Sequence, residues 1–289
     1  MQLWIDMKSA VVDYDALTLD ALLEQVYQYG AYNFRGYKLG TVTRRLARRL
    51  HATGSKTYRE YMLYLETHSE EYQKLADELI INVSGFFRNQ YAFEQVVDMV
   101  LPQLFTDKED RGEREVKLWS AACACGEEPY SIAIMLAEFM KQRRQDIDIS
   151  IEATDISRRV LSKAEKGVYS PGDLATLPPS ISRDYFIRDN QQCEVRTDIR
   201  NMVSFSYYDL TSTDQPSFSN VDCIFCCNVL IYLQKSLQEK VLQMLYSALA
   251  VPGYLVLGEV ETPTGGFDGK LECLDSKAKI YKKGSLNSK

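Results

Sequence analysis

The sequence predicts an α/β fold with a mostly parallel sheet, preceded by a small all-helical domain and interrupted by a small β-subdomain. Three observations predict it. Residues 15–82 show helix-period patterns with few strand signals. From about residue 93, β-rich apolar runs alternate with helical stretches, the pattern of βαβ units. Between two such pairs, "YFIRDNQQCEVRTDIRNMVSFS" (185–206) breaks the alternation with short polar β-like pieces.

In chain order, "DALTLDALLEQVYQYG" is a helix closed by Gly30, and "KLGTVTRRLARRLHATG" a second closed by Gly54. "TYREYMLYLETHS" and "EEYQKLADELIINV" are a third and fourth. "FEQVVDMVLPQLF" is helical. Strand "EVKLWSA" then leads to helix "EEPYSIAIMLAEFMKQ", and strand "DISIEATD" to helix "SRRVLSKAEKG". Strand "VDCIFCCNVL" leads to helix "KSLQEKVLQMLYSALA", which Pro252-Gly253 is expected to end. "YLVLGEVE" is a strand, and "LECLD" with "AKIYKK" reads as a terminal hairpin. The expected organisation is a helical domain with linker at 1–90, a catalytic α/β domain at 91–284 and a frayed tail at 285–289. No internal repeat interrupts it.

Composition narrows the function. At 45% hydrophobic and 26% charged, the chain has the make-up of an ordinary globular protein. It has no apolar run of membrane-spanning length, and its first residues lack the basic start and apolar core of a secretory signal. The seven cysteines match neither a zinc ribbon nor a disulfide framework, so they read as small buried residues in a reducing cytosol. With only two histidines, His51 and His68, no metal centre is expected. The net charge of −6 conceals one basic segment: Gln25 to Arg59 holds eight Lys/Arg and no acid, which suggests a local acidic partner.

The most informative stretch is "SAACACGEEPYS" (120–131). In an open α/β sheet the ligand lies beyond the carboxyl ends of the strands, near the first βα turn. Residues 121–126 form that turn, and Ala, Cys and Gly there allow close backbone approach. Glu127 and Glu128 suit a helix N-terminus but would repel a pyrophosphate. S-adenosylmethionine (SAM), with an ammonium, a sulfonium and no phosphate, fits instead. Asp155 ends the next strand, where an acid can accept hydrogen bonds from ribose hydroxyls. The alternative readings are plain helix-terminal charge for Glu127 and Glu128, and a helix N-cap for Asp155.

Beyond these residues, "LADELIINVSGFFRN", "LWSAACACGEEPYSIAIML", "ATDIS", "FSYYDL" and "DCIFCCNVLIYL" resemble, in order, the motifs of CheR, the chemoreceptor glutamate O-methyltransferase family. The basic "VTRRLARRL" in a preceding helical domain also matches, and the resemblance covers about residues 20–283. It implies a Rossmann-like SAM-dependent methyltransferase domain. It also implies transfer of a methyl group from SAM to receptor glutamates, giving 5-O-methyl esters and S-adenosylhomocysteine in chemotactic adaptation. By the same resemblance Asn82, Ser84 and Arg88 border the SAM pocket, with Ala122 in the loop and Glu127 at the methionyl end. Asp155 meets the ribose, Asp209 and Leu210 lie near the adenine, and Cys227 and Asn228 sit at the end of the fourth strand. Arg88 and Tyr232 are the positions associated with catalysis. Asp209 stands where some members have Asn, and Cys227 where an Arg often precedes the Asn.

The chemistry is compatible with these residues. A glutamate is ionised at neutral pH, so methyl transfer to it needs alignment and water exclusion rather than a strong base. Arg88 can orient the carboxylate with a planar charged fork, and Tyr232 can add a hydrogen bond. On a helical wheel Arg44, Arg45, Arg48 and Arg49 fall within about 140° of arc, with Val42, Leu46 and Leu50 largely opposite. No acid stands at i+4, so these arginines are expected to present an open face to the Glu-rich cytoplasmic helices of a receptor. A monomer in the cytoplasm is expected, binding neither nucleic acid nor membrane. The competing classes are a non-catalytic SAM-binding adaptor and a nucleic-acid methyltransferase using the arginine face. The loop "RDNQQCEVRTD" is short and lacks glycine, which leads us to expect methylation without a receptor C-terminal tether.

Overall fold

The structure, a computed structural model, describes residues 18–284 except 31, 142, 144–146, 190 and 268. The start of the first helix at 15–17 and the tail at 285–289 lie outside the described residues. The chain divides into two compact units, one comprising residues 1–81 with Tyr232–Leu237, the other Asn82–Ile231 with 238–289.

The helical unit contains α1 (18–30), α2 (Leu39–Thr53), α3 (Tyr58–Thr67) and α4 (Glu70–Leu79). Gly54 ends α2 in the left-handed region at φ 76° and turns its N–H onto the His51 and Leu50 carbonyls. Thr57 caps α3 by accepting from the Glu60 N–H, while Glu60 reaches back to the N–H of Lys56, the residue before the cap. Val42 and Leu46 of α2 are buried, as are Leu22, Leu65 and Leu75 elsewhere in the unit, and Leu50 is half-buried. The later segment 232–237 joins this unit by pairing Lys38 N–H to the Tyr232 carbonyl (2.8 Å) and Gln234 to the carbonyls of Arg35 and Tyr37.

The second unit opens with α5 (Gln90–Gln95), a π-helical turn (Val96–Val100) and α6 (Leu101–Asp110). Then β1 (Glu115–Ala121), α7 (Glu127–Lys141), β2 (Asp148–Asp155) and α8 (Arg158–Lys166) alternate. After β3 (Val168–Tyr169), α9 (Pro179–Tyr185), β4 (Phe186–Arg188), β5 (Cys193–Val195) and α10 (Thr197–Arg200) come β6 (Val203–Tyr207) and β7 (Val221–Cys226). The chain continues through a 3₁₀ turn at Leu230–Tyr232, α11 (Lys235–Ala248), whose first residues belong to the helical unit, β8 (Leu249–Leu257), β9 (Leu271–Asp275) and β10 (Ile280–Lys283). The main sheet has the order β6-β2-β1-β7-β8-β10-β9. Its first five strands are parallel, and the last two add antiparallel. β7 is buried along its whole length, which explains its mostly apolar run, and its one acid, Asp222, is buried against the Lys108 ammonium (2.9 Å).

Two expectations change. Pro252-Gly253 does not end α11: the helix stops at Ala248, and the proline and glycine lie inside β8, where the pairing with β7 shifts register. The stretch 185–206 divides between two sheets. The small antiparallel sheet, β3-β5-β4, begins earlier with Val168, whereas β6 is the parallel edge of the main sheet, its polar pattern reflecting one exposed side. The glycine-free loop at 188–198 contains β5, the central strand of the small sheet, and β4 keeps an unpaired edge with Ile187 exposed. Among the described residues no helix is long and apolar enough to cross a membrane.

Candidate active site

Strand order reverses at β1, which has β2 on one side and β7 on the other. A crevice opens at such a switch point, outside the carboxyl ends of the strands. Residues 122–126 follow β1, Asp155 ends β2, Asp209 follows β6, Cys227 and Asn228 follow β7, and Gly258 follows β8.

The turn after β1 is held in an unusual shape. Ala122, Ala124 and Gly126 all have positive φ, at 64°, 49° and 93°. Alanine resists that region, so the surroundings must hold it. Cys123 N–H donates to the Thr154 carbonyl (2.8 Å) and Ala124 N–H to Asp155 Oδ2 (3.0 Å). A Cβ on Gly126 would lie 2.9 Å from both Ala164 Cβ and Tyr169 Oη, so only glycine lets the turn pass this close to α8.

Asp155 is 4% exposed, and its other oxygen accepts the Ser157 N–H (2.8 Å). Burial pushes its carboxyl up, opposed by these backbone donors. It is not the N-cap of α8. Ser157 takes that position, its hydroxyl accepting from Val160 N–H. With about four lone pairs and backbone donors at Ala124, Ser157 and Ile156, the Asp155 carboxylate keeps capacity for a further donor.

The two acids starting α7 have different surroundings. Glu127 is buried, and its Oε2 has no hydrogen-bond partner. Burial pushes its carboxyl up, and the Ser84 hydroxyl lies beside it. A buried carboxylate oxygen without a donor is costly, and an ammonium group would satisfy it. Glu128 Oε1 accepts from Ser120 Oγ (2.7 Å), with the Cys227 thiol alongside. Burial, with Glu261 nearby, pushes it up to about 7, Ser120 and Cys227 acting in the other direction. The Cys227 thiol is itself driven well up by burial and by both carboxylates.

The segment 82–88 reaches the same place. Phe87 N–H donates to Ser131 Oγ on α7 (2.9 Å), and Phe86 packs edge-on against Tyr169 and Phe186. Arg88 is exposed, with Nη1 bonded to the Val83 carbonyl (2.7 Å), and its charge is felt at Glu128. Asn82 and Ser84 are half-buried. Asp209 Oδ1 accepts from the Thr211 N–H and hydroxyl, which folds its loop, and Leu210 is buried. Tyr208 N–H bonds the Asp155 carbonyl, placing this loop beside the end of β2. Asn228 is left-handed at φ 61° and gives its N–H to Glu261 Oε2 (2.9 Å). Tyr232 belongs to the helical unit. Glu261 escaped the sequence reading because "YLVLGEVE" reads as a strand to its end, whereas β8 stops at Leu257 and Glu261 lies in the loop beyond it; Glu128 was visible, but its partners were not.

The arginine face of α2 is not the open surface expected. Arg49 makes a two-pronged ion pair to Glu71 (2.9 and 2.8 Å), a 2%-exposed acid that also accepts from Tyr61. Arg48 pairs with Glu78 at 3.0 Å, and Arg45 donates to the Glu78 carbonyl. Arg44 is exposed. The balancing acids come from α4, where a search along α2 does not look.

Sheet order, the glycine-poor turn and buried carboxylates in place of a phosphate cradle define a Rossmann-like methyltransferase that binds SAM. Residues 82–280 match the family model "CheR methyltransferase, SAM binding domain", and residues 17–80 match "CheR methyltransferase, all-alpha domain". The chain belongs to the CheR methyltransferase family. It is 32% identical over 250 residues to a chemotaxis protein methyltransferase of Borreliella burgdorferi, covering 86% of this chain and 88% of that one. It is 33% identical over 246 residues to one from Salmonella typhimurium, covering 83% and 82%. An uncharacterized 104.1 kDa protein of Rhodobacter capsulatus is 29% identical over 89% of this chain, which spans 27% of that protein.

Proposed function

We propose that the enzyme methylates glutamate side chains on the cytoplasmic helical region of chemoreceptors, producing glutamate 5-O-methyl esters and S-adenosylhomocysteine for chemotactic adaptation. It acts in the cytoplasm as a monomer. Its family membership supports the reaction, and the single structural observation that carries the cofactor assignment is the partnerless buried oxygen of Glu127.

When bound, SAM supplies an electrophilic methyl group. Glu127 and Ser84 hold its ammonium end, Asp155 its ribose, and Asp209 with Leu210 its adenine. Ala122 lines the approach with backbone, and Asn82, Cys227 and Asn228 complete the wall. Arg88, already steadied by the Val83 carbonyl, turns its remaining donors to the substrate carboxylate. It orients that anion, whose intrinsic charge makes a general base unnecessary. Tyr232 is the second catalytic group. Arg44 and Arg48, the two most exposed of the four arginines on α2, meet the acidic receptor surface, while Arg45 and Arg49 support them from within.

The test is incubation with methyl-labelled SAM and receptor cytoplasmic domains, followed by mapping of base-labile esters. Label on receptor glutamates is the expected outcome. Label confined to nucleic acid, or SAM binding without transfer, would overturn the reading.

A further inference from the structure

Glu261 lies in the loop after β8, 3% exposed, and takes no part in the assignments above. Its Oε2 accepts the N–H groups of Gly258 (2.7 Å) and Asn228 (2.9 Å), and its Oε1 accepts that of Ile231 (3.1 Å). Its own N–H returns to the Gly258 carbonyl (2.9 Å). One carboxylate thus bonds three backbone donors on two chain segments about thirty residues apart.

These donors need it. β7 ends at Cys226, and Asn228 adopts φ 61°, so the Asn228 N–H has left the ladder. The Ile231 N–H belongs to the first turn of the 3₁₀ segment, where no preceding carbonyl can serve it. Left unmet, each buried donor would destabilise this turn. The packing is tight as well. A Cβ on Gly258 would lie 2.6 Å from Glu261 Oε2, 2.7 Å from Asn228 N and 2.9 Å from Asn228 Nδ2. Gly258 has no positive φ, so the requirement for glycine here is one of space alone.

We infer that Glu261 is a positioning residue: it fixes the 227–231 turn, and with it Asn228, in the geometry that binds the cofactor. The inference rests on the reading that Asn228 borders SAM. An amide cannot replace the carboxylate. Glu261→Gln keeps one acceptor oxygen but sets an NH₂ against at least one N–H donor, so the turn loses a bond and gains a repulsion. The nearby exposed Glu259 offers a control with the same change in charge.

The experiment compares Glu261→Gln, Glu259→Gln and Asn228→Ala by SAM calorimetry, turnover at saturating SAM, and thermal unfolding. Glu261→Gln is expected to weaken SAM binding at least tenfold and to reduce turnover per folded molecule, while Glu259→Gln changes neither. A lower melting temperature with unchanged SAM affinity and turnover would overturn the inference, leaving Glu261 a structural prop. Unchanged affinity in Asn228→Ala would instead remove the assignment of Asn228. Should Glu261→Gln fail to fold, amide hydrogen exchange on the wild-type enzyme decides. Gly258, Asn228 and Ile231 should exchange at least a hundredfold more slowly than the unbonded amides of neighbouring loops, and fast exchange at Asn228 and Ile231 would refute the clamp.

Discussion

Replacing Glu128 by Gln should stabilise the protein at alkaline pH and leave it unchanged near pH 4. Glu128 sits at the start of α7 with a single strong donor, Ser120 Oγ, and with Glu261 opposing its ionisation. Its carboxyl is pushed up to about 7 from an ordinary 4.5. Between those values the folded protein holds a proton that the unfolded chain has released. Stability from this group is therefore greatest below the unfolded value and falls as pH rises towards 7. The shift corresponds to about 3.5 kcal/mol at most, at about 1.4 kcal/mol per unit. Gln mimics the protonated form, still accepts from Ser120, and cannot ionise. Urea unfolding of both proteins at pH 5, 6, 7 and 8 should show a stability difference that grows with pH by about 2–3 kcal/mol. A constant difference across that range would refute the reasoning. A cation bound beside this cluster would favour release of the proton, so SAM affinity of the wild type should rise with pH over the same window.

The remaining expectations concern the pocket, the basic helix and the small sheet. Asp155→Ala should weaken SAM binding by about 1–3 kcal/mol in calorimetry, since it strips a buried acceptor from both ligand and loop. Arg88→Ala should reduce turnover far more than SAM affinity, and equal losses would place Arg88 on the cofactor alone. Glu71→Ala should lower stability by about 3 kcal/mol by stranding Arg49; reversing Arg44 and Arg48 to Glu should instead weaken receptor methylation and flatten its salt dependence. Unchanged methylation in that double variant would reduce the α2 face to solvated charge. Receptor C-terminal peptides should show no micromolar binding, because β4 offers only three residues of open edge; binding lost on altering residues 186–188 would show that they suffice.

What the sequence disclosed depended on whether a residue's partners were near it in the chain. β1, β2 and β7 were legible because each carries a mostly apolar run into the buried part of the sheet, with Glu115, Lys117, Asp148 and Glu152 at exposed or half-buried positions. α8 was legible at both ends, Ser157 starting it and Gly167 closing it at φ 62°. The junction of α11 and β8 was not, because the strand follows the helix without an intervening turn and takes up Pro252-Gly253 within it. β3 has two residues, too few to show a period. β6 alternates strictly, Val203, Phe205 and Tyr207 against Ser204 and Ser206, but at the sheet edge it is short and half-polar and so reads as part of the insertion. The arginines of α2 were counted correctly but read as unpaired, since Glu71 and Glu78 reach them from another helix.

The same distinction bears on why so many acids gather at the ends of these strands. Asp155 is bound to the backbone of the turn after β1 and of the start of α8. Glu261 is bound to the turn after β7, and Glu128 to Ser120. Each is occupied with shaping the crevice, and each would be disturbed if its carboxylate moved to meet a ligand. Glu127 is the exception, buried like the others yet with one oxygen unmatched by any donor. A folded protein tolerates such an atom when a bound group completes it. The group that completes it must bring its own donor, and one that also carries a positive charge would add to the attraction that Lys163 already exerts on this carboxylate. The methionyl ammonium of SAM brings both, and the phosphate of a nucleotide brings neither.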